Sequence, residues 1–65
     1  MFVIVDNQVH ALPEPRTVAA LLIQLSPAVP FAVARNAEVV PRGSYEECPT
    51  EPGDIIDIVH PAAGG

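Results

Sequence analysis

The chain has 65 residues, which allows one domain at most and leaves little room in its core for a cleft lined with polar catalytic groups. Apolar residues make up 49% of the sequence, too many for a disordered chain. The formal net charge is −5, and three scattered Arg without any Lys are too few to bind nucleic-acid phosphates, so the charge favours a protein partner with a basic face or serves solubility alone.

The first residues predict a β-hairpin. Residues 1–5 are β-branched and aromatic, which is typical of a strand. Residues 6–8 supply turn chemistry, and residues 9–12 return as an antiparallel strand. Pro13 and Pro15 end this strand because neither offers an N–H group to a ladder.

A short helix is predicted next. Thr17 suits the N-cap position, and residues 18–25 carry an apolar stripe at i, i+3, i+4 and i+7. The helix should end near Ser26, because Pro27 disfavours helical geometry in the residue before it. A helix of this length is unstable alone, so its stripe must pack against a sheet.

A second hairpin follows the helix. Residues 31–35 predict a strand, Asn36-Ala37 a tight turn, and residues 38–40 the returning strand. Glycine would be the easier residue at the second position of a type I′ turn, which Ala37 occupies. The segment 41–49 is irregular, with one helical turn expected over residues 45–48.

The last predicted strand spans residues 55–59, after a Pro- and Gly-containing turn over 51–54. Asp57 is expected to face water, which places Ile56 and Ile58 on the inward face. The order β-β-α-β-β-β predicts an α+β fold, a mixed sheet of four to five strands packed on one short helix.

One face of this sheet is expected to lack a helix. Phe2 and Ile4 alternate with Val3 and Val5, so one of these pairs points away from the helix. Such an apolar face either docks a partner or is partly covered by loop residues, and the sequence leaves both interpretations open.

Cys48 is the only cysteine, so it cannot form an internal disulfide. Its neighbours Glu46 and Glu47 lack the positive charge that activates a thiolate, which favours a structural thiol over a sulfur relay. Without a signal peptide or an apolar run long enough for a bilayer, we expect a cytoplasmic protein with no membrane partner.

Metal ligation is a weak hypothesis for this sequence. His10 and His60 have no nearby ligand at a metal-site spacing, so edge or surface positions are expected for both. An acidic group lacks the alternating pattern of a Ca²⁺ loop and is expected to form a solvated face; its members are Glu46, Glu47, Glu51 and Asp54.

The sequence closes with Pro61-Ala62-Ala63-Gly64-Gly65, which contains no large or charged residue. We expect a domain over residues 1–60 and a flexible tail over 61–65, slim enough to thread a narrow channel in a partner. The alternative is an ordinary frayed terminus. A Gly65 carboxylate becomes an acylating agent only after activation by ATP, and the chain has no phosphate-cradling loop of its own.

These segments together resemble the ThiS-type sulfur carriers of thiamine biosynthesis, which belong to the ubiquitin-like β-grasp group. The resemblance covers essentially the whole length of the chain. It depends on the Asp6-Asn7 turn, Thr17-Val18 with Leu21-Leu22, Ala34-Arg35-Asn36, Val39-Val40-Pro41-Arg42, Gly53-Asp54-x-Ile56 and Gly64-Gly65.

The resemblance implies a protein co-substrate and not an enzyme. A ThiF-type partner would adenylate Gly65 with Mg-ATP, so the chain itself would bind no cofactor. Sulfur from a donor such as a cysteine desulfurase would then leave a thiocarboxylate, which a ThiG-type thiazole synthase would use. Gly65, as the modified residue, and Gly64, as its slim neighbour, are the site residues that carry over; no metal site does.

Two features depart from the pattern. Ala37 occupies a position often filled by Gly, and the His60-Pro61 end is similar to that of MoaD-type carriers for molybdopterin synthesis. The alternatives are therefore a MoaD-type carrier and a ubiquitin-like interaction module with an inert tail. An independent enzyme would need converging titratable groups, and the sequence indicates none.

Overall fold

The architecture is a five-stranded mixed sheet packed on one helix, in a computed structural model that describes residues 1–61. The strands are β1 (Phe2–Val5), β2 (Gln8–Ala11), β3 (Ala32–Arg35), β4 (Glu38–Val40) and β5 (Ile55–Val59). Their order is β2-β1-β5-β3-β4, with β1 and β5 parallel and the other pairs antiparallel. The predicted α+β class and the β-grasp arrangement are confirmed.

Both hairpins use turns with left-handed backbone at two successive residues. Asp6 and Asn7 have φ of 47° and 68°, and Asn36 and Ala37 have φ of 50° and 71°. Positive φ at both central positions is the requirement of a type I′ turn, whose twist matches that of the flanking strands. The two predicted hairpin turns are therefore confirmed.

The helix α1 spans Val18–Leu25. Thr17 caps it as predicted, with Oγ1 3.2 Å from the backbone N of Ala20. Ser26 ends it in the left-handed conformation, with φ of 51°, and its N–H donates to the carbonyl of Leu22 at 2.7 Å. The prediction of a helix that ends before Pro27 is confirmed.

The core lies between α1 and one face of the sheet. The buried apolar side chains come from α1, from every strand except β2, and from Leu12, which follows β2; they are Val3, Val5, Leu12, Val18, Leu21, Val33, Val40 and Ile56. Leu22, Leu25 and Ile58 pack against this cluster and are half-buried. Burial of these residues is the main stabilising term, because the short helix has no stability of its own.

The helical turn expected over residues 45–48 lies earlier, as a 3-10 helix over Arg42–Ser44. Pro41 begins it, and its carbonyl accepts from the N–H of Ser44 at 2.9 Å. The carbonyls of Tyr45 and Cys48 instead accept from the N–H groups of residues 19 and 18, each at 3.0 Å. These are free donors of the first turn of α1, so residues 45–48 serve the helix start and form no helix themselves.

Candidate functional site

The strand β5 occupies the centre of the sheet and leads directly into the C-terminal residues. It lies between β1 and β3, with register Val5↔Ile56 on one side and Val33↔Ile58 on the other. Ile56 is fully buried and Asp57 is exposed, as predicted from the sequence. Of the predicted tail only Pro61 lies within the described residues. Gly64 and Gly65 lie outside them, and their role stays a prediction.

A network of hydrogen bonds fixes the start of β5. Asp54 Oδ2 accepts from Arg35 Nε at 2.6 Å and from the backbone N of Glu51 at 2.8 Å, and Oδ1 accepts from Asn36 Nδ2 at 3.1 Å. Asn36 Oδ1 in turn accepts from the backbone N of Ile55 at 2.9 Å. The β3–β4 turn is thereby joined to the residue from which β5 begins.

This network determines the ionisation of its two charged groups. Burial alone would raise the pKa of Asp54, but hydrogen bonds from the Glu51 N–H, Arg35 and Asn36 outweigh it and lower the pKa from its ordinary value. The hydrogen bond to Asp54 raises the pKa of Arg35. Both groups are therefore charged at neutral pH, and each already has its partner.

The exit from β5 is fixed by two further contacts. Asp6 Oδ1, in the first hairpin turn, accepts from the backbone N of Ile58 at 3.2 Å. The ring Nε2 of His60 lies 2.9 Å from the carbonyl oxygen of Ala28, in the segment between α1 and β3. These contacts set the point and direction at which the chain leaves the sheet. His60 is therefore a surface residue, as expected, and its ring contacts the Ala28 carbonyl.

The face of the sheet opposite α1 is apolar and open; we call it the outer face. Phe2 and Ile4 of β1 lie on this face, as do Ile55, Asp57 and Val59 of β5. Their register partners on the neighbouring strands lie on the same face: Val9 and Ala11 on β2, and Ala32 and Ala34 on β3. Val39 of β4 pairs with Ala34 and completes the face. Phe2 is 61% exposed, Val9 68% and Val39 75%. The pair of β1 that points away from the helix is therefore Phe2 and Ile4.

The other candidate residues predicted from the sequence were a cysteine and possible metal ligands. Cys48 is half-buried, with Sγ 3.8 Å from the carbonyl oxygen of Pro49. Within residues 1–61, no cluster of three or more His, Cys, Asp and Glu side chains has the geometry of a metal site. No helix described there has the length and apolar character to cross a membrane.

The acidic group expected as a solvated face is only partly so. Glu46, Glu47 and Glu51 are exposed, but Asp54 is 7% exposed and bonded to Arg35. The expectation is wrong for Asp54, because its partner comes from a strand distant in sequence. The sequence showed Gly53-Asp54 and Arg35-Asn36 as two separate segments, and neither segment alone indicates that their side chains bond to each other. Only the pairing of β3 with β5 brings them together.

Comparison with known proteins gives a consistent result. The family model described as the ThiS family matches residues 3–65. A crystal structure of the thiamine biosynthesis protein ThiS from Geobacter metallireducens has a TM-score of 0.82 and 23% sequence identity, with 100% of both chains covered. A solution structure of a thiamine biosynthesis protein from the same organism has a TM-score of 0.74 at 23% identity, covering 100% of this chain and 88% of that one. No curated protein sequence gives a significant match.

Proposed function

The chain belongs to the ThiS family, and from this premise we propose that it is a sulfur carrier for thiamine thiazole synthesis, with the Gly65 carboxylate as its reactive group. In this role it is a protein co-substrate that partner enzymes modify, and it performs no catalysis itself. The observation that carries the proposal is the family match, which extends through Gly65.

The chemistry proceeds in three steps. A ThiF-type enzyme binds Mg-ATP, and the Gly65 carboxylate attacks the α-phosphate, releasing pyrophosphate and forming an acyl-adenylate. The terminal sulfur of a persulfide on a sulfur donor, such as a cysteine desulfurase, attacks the acyl carbon and displaces AMP, which leaves Gly65 joined to the donor through an S–S bond. A thiol reductant then cleaves the S–S bond and leaves a thiocarboxylate, whose sulfur a ThiG-type thiazole synthase takes up.

The fold supports the role of a co-substrate. Among the described residues, the shortest ion pair joins Arg35 and Asp54, which neutralise each other and fix the start of β5. Catalysis by the chain would need titratable groups that converge on a free site. The sheet instead supports β5, the strand that leads to the C-terminal residues.

Intact-mass measurement tests the proposal. The purified chain is incubated with a ThiF-type enzyme, Mg-ATP, a sulfide source and a thiol reductant. We expect a mass gain equal to one oxygen replaced by sulfur, mapped to Gly65. A variant with one Ala appended after Gly65 should unfold at the wild-type temperature and gain no sulfur, because its Gly65 has no free carboxylate.

The alternatives give different results in the same assay. An unchanged wild-type mass, with ThiF-type and MoeB-type enzymes each shown to be active on another carrier, would contradict the proposal and favour an interaction module with an inert tail. A thiocarboxylate that molybdopterin synthesis consumes and thiazole synthase does not would assign the chain to the MoaD-type carriers.

A further inference from the structure

His60 follows the last residue of β5, and its side chain contacts a segment distant in sequence. The ring Nε2 lies 2.9 Å from the carbonyl oxygen of Ala28, between α1 and β3. A carbonyl oxygen only accepts, so Nε2 must carry a proton and donate it. The neutral tautomer protonated at Nε2 and the imidazolium both meet this condition, so either form of the ring can make the hydrogen bond.

The acceptor of this hydrogen bond lies in a segment with a restricted backbone. Pro27 comes directly before Ala28 and Pro30 follows two residues later, and the ring of each proline fixes its own φ. Ser26, just before Pro27, ends α1 with its N–H bonded to the carbonyl of Leu22. The Ala28 carbonyl is therefore joined to the end of the helix by a short segment with few accessible conformations.

The chain around the donor is restricted as well. Pro61 fixes its own φ and disfavours helical geometry in His60. Just beyond the residues of β5 that pair with β1, Asp6 Oδ1 accepts from the backbone N of Ile58 at 3.2 Å. The end of β5 is thus held by the first hairpin turn on one side and, through the His60 ring, by the segment after α1 on the other.

The His60 side chain lies on the side of the sheet that carries α1, since it continues the alternation of the inward residues of β5. It lines one cavity together with Leu25 and Pro27, at the end of α1, and with His10 of β2. His10 makes no side-chain hydrogen bond within residues 1–61. Two histidines therefore share this cavity, and only His60 connects the end of β5 to another segment.

The position of His60 limits where the Gly65 carboxylate can be. Five residues follow His60, and an extended chain spans at most about 3.3–3.6 Å per residue, so Gly65 lies within about 18 Å of His60. A fixed origin and a fixed initial direction confine the carboxylate to part of that volume. Confinement raises its effective concentration at a reactive position on a docked enzyme.

Resting on the proposed function, we infer that His60 is a positioning residue for the adenylation of Gly65. Its hydrogen bond to the Ala28 carbonyl sets the origin and direction from which the C-terminal residues reach the adenylating enzyme. In this role His60 acts through the chain that follows it and takes no part in the chemistry. Its removal should lower kcat and leave the KM for the carrier unchanged, because the loss falls on the reaction within the bound complex.

The test is ATP–pyrophosphate exchange by a ThiF-type enzyme, measured over a range of carrier concentrations. His60→Ala should lower kcat about threefold to fivefold, the effect of a single hydrogen bond on an equilibrium. His60→Gln should restore most of the wild-type kcat, because its amide Nε2 also donates and is separated from Cβ by the same number of bonds. His10→Ala is the matched control and should leave kcat and KM unchanged, since it removes a histidine from the same cavity without breaking the contact with Ala28.

Loss of fold would give a different kinetic result. A partly unfolded carrier has a smaller competent fraction, which raises its apparent KM and leaves kcat unchanged. The isolated chain offers a second measurement, the backbone amide order parameter of residue 60 from NMR relaxation. This should lie near the value of about 0.85 that is typical of rigid backbone in the wild type and in His10→Ala, and fall clearly in His60→Ala.

Each result bears on the inference. An unchanged kcat in His60→Ala, or an equal loss in His10→Ala, would overturn it, as would a raised KM with an unchanged kcat. Equal order parameters in wild type and His60→Ala, or a His60→Gln variant as slow as His60→Ala, would do the same. Failure of the wild-type chain to support exchange would refute the proposed function as well, whereas normal exchange with no effect at His60 would refute the positioning role alone.

Discussion

Asp54 is a buried carboxylate whose substitution should destabilise the fold. Its side chain is 9% exposed, and it accepts hydrogen bonds from Arg35, Asn36 and the backbone of Glu51. Asp54→Asn keeps the shape but removes the charge and replaces one acceptor with a donor. We expect the free energy of unfolding to fall by about 2–3 kcal/mol, measured by urea denaturation.

Glu47→Gln is the control for this prediction, because Glu47 is exposed and its side chain makes no hydrogen bond within residues 1–61. It should unfold close to the wild-type urea concentration. Equal midpoints for Asp54→Asn and Glu47→Gln would show that the Asp54 network contributes little to stability.

The same residue predicts how stability depends on pH. The pKa of Asp54 is lower in the folded chain than its ordinary value of 3.8. The folded state therefore binds fewer protons there, so this contribution is complete above the ordinary value and is lost as pH falls through the folded pKa. The stability difference between wild type and Asp54→Asn should stay constant down to about pH 5 and shrink as the pH falls through 3.8 and below it. A difference that stays constant below that value would contradict the prediction.

At the scale of elements, the β3–β4 turn offers a stabilising substitution. Ala37 has φ of 71°, a conformation that glycine adopts without the steric cost borne by a Cβ atom. Ala37→Gly should raise the free energy of unfolding by about 0.5–1 kcal/mol, after the greater freedom of glycine in the unfolded chain is allowed for. Thermal and urea unfolding would measure it.

Ala11→Gly is the comparison for this change, because Ala11 lies in β2, where glycine only weakens the strand. It should lower stability while Ala37→Gly raises it. Destabilisation by both substitutions would mean that the turn gains nothing from glycine.

The elements themselves were predictable because their signals are local. Runs of β-branched and aromatic residues between turn residues identified the strands, and Thr17 with Pro27 bounded the helix within a residue of its observed limits. The helical turn over 45–48 was misplaced because the carbonyls of Tyr45 and Cys48 bond to the start of α1. These contacts join residues 26 and 30 positions apart in the chain, and no local pattern indicates them.

At the scale of the whole molecule, strand order determined what the sequence left open. The parallel pairing of β1 with β5 places Ile55 beside Ile4 and assembles the outer face from all five strands. The same order brings Asp54 to Arg35. The alternation of single strands indicated that one β1 pair points outward, but only the complete sheet shows that Asp57 lies among apolar neighbours.

In the proposed function the folded domain and the reactive Gly65 carboxylate are separable parts, joined by a chain of fixed maximum length. Deleting Ala62 and Ala63 shortens that maximum by about 7 Å and leaves the described fold untouched. We expect wild-type unfolding and wild-type binding to the adenylating enzyme, but no pyrophosphate exchange. The shortened chain should compete with the wild type, with an inhibition constant close to the wild-type dissociation constant.

A variant with Ser at both positions 62 and 63 keeps the length and should support exchange at the wild-type rate, which separates length from composition. Loss of binding in the shortened chain would mean that the C-terminal residues supply the affinity and the folded domain does not. Exchange at the wild-type rate after the deletion would mean that the enzyme closes the distance itself. If the shortened chain binds the enzyme but supports no exchange, the folded domain provides the binding and the C-terminal residues are needed only for the reaction.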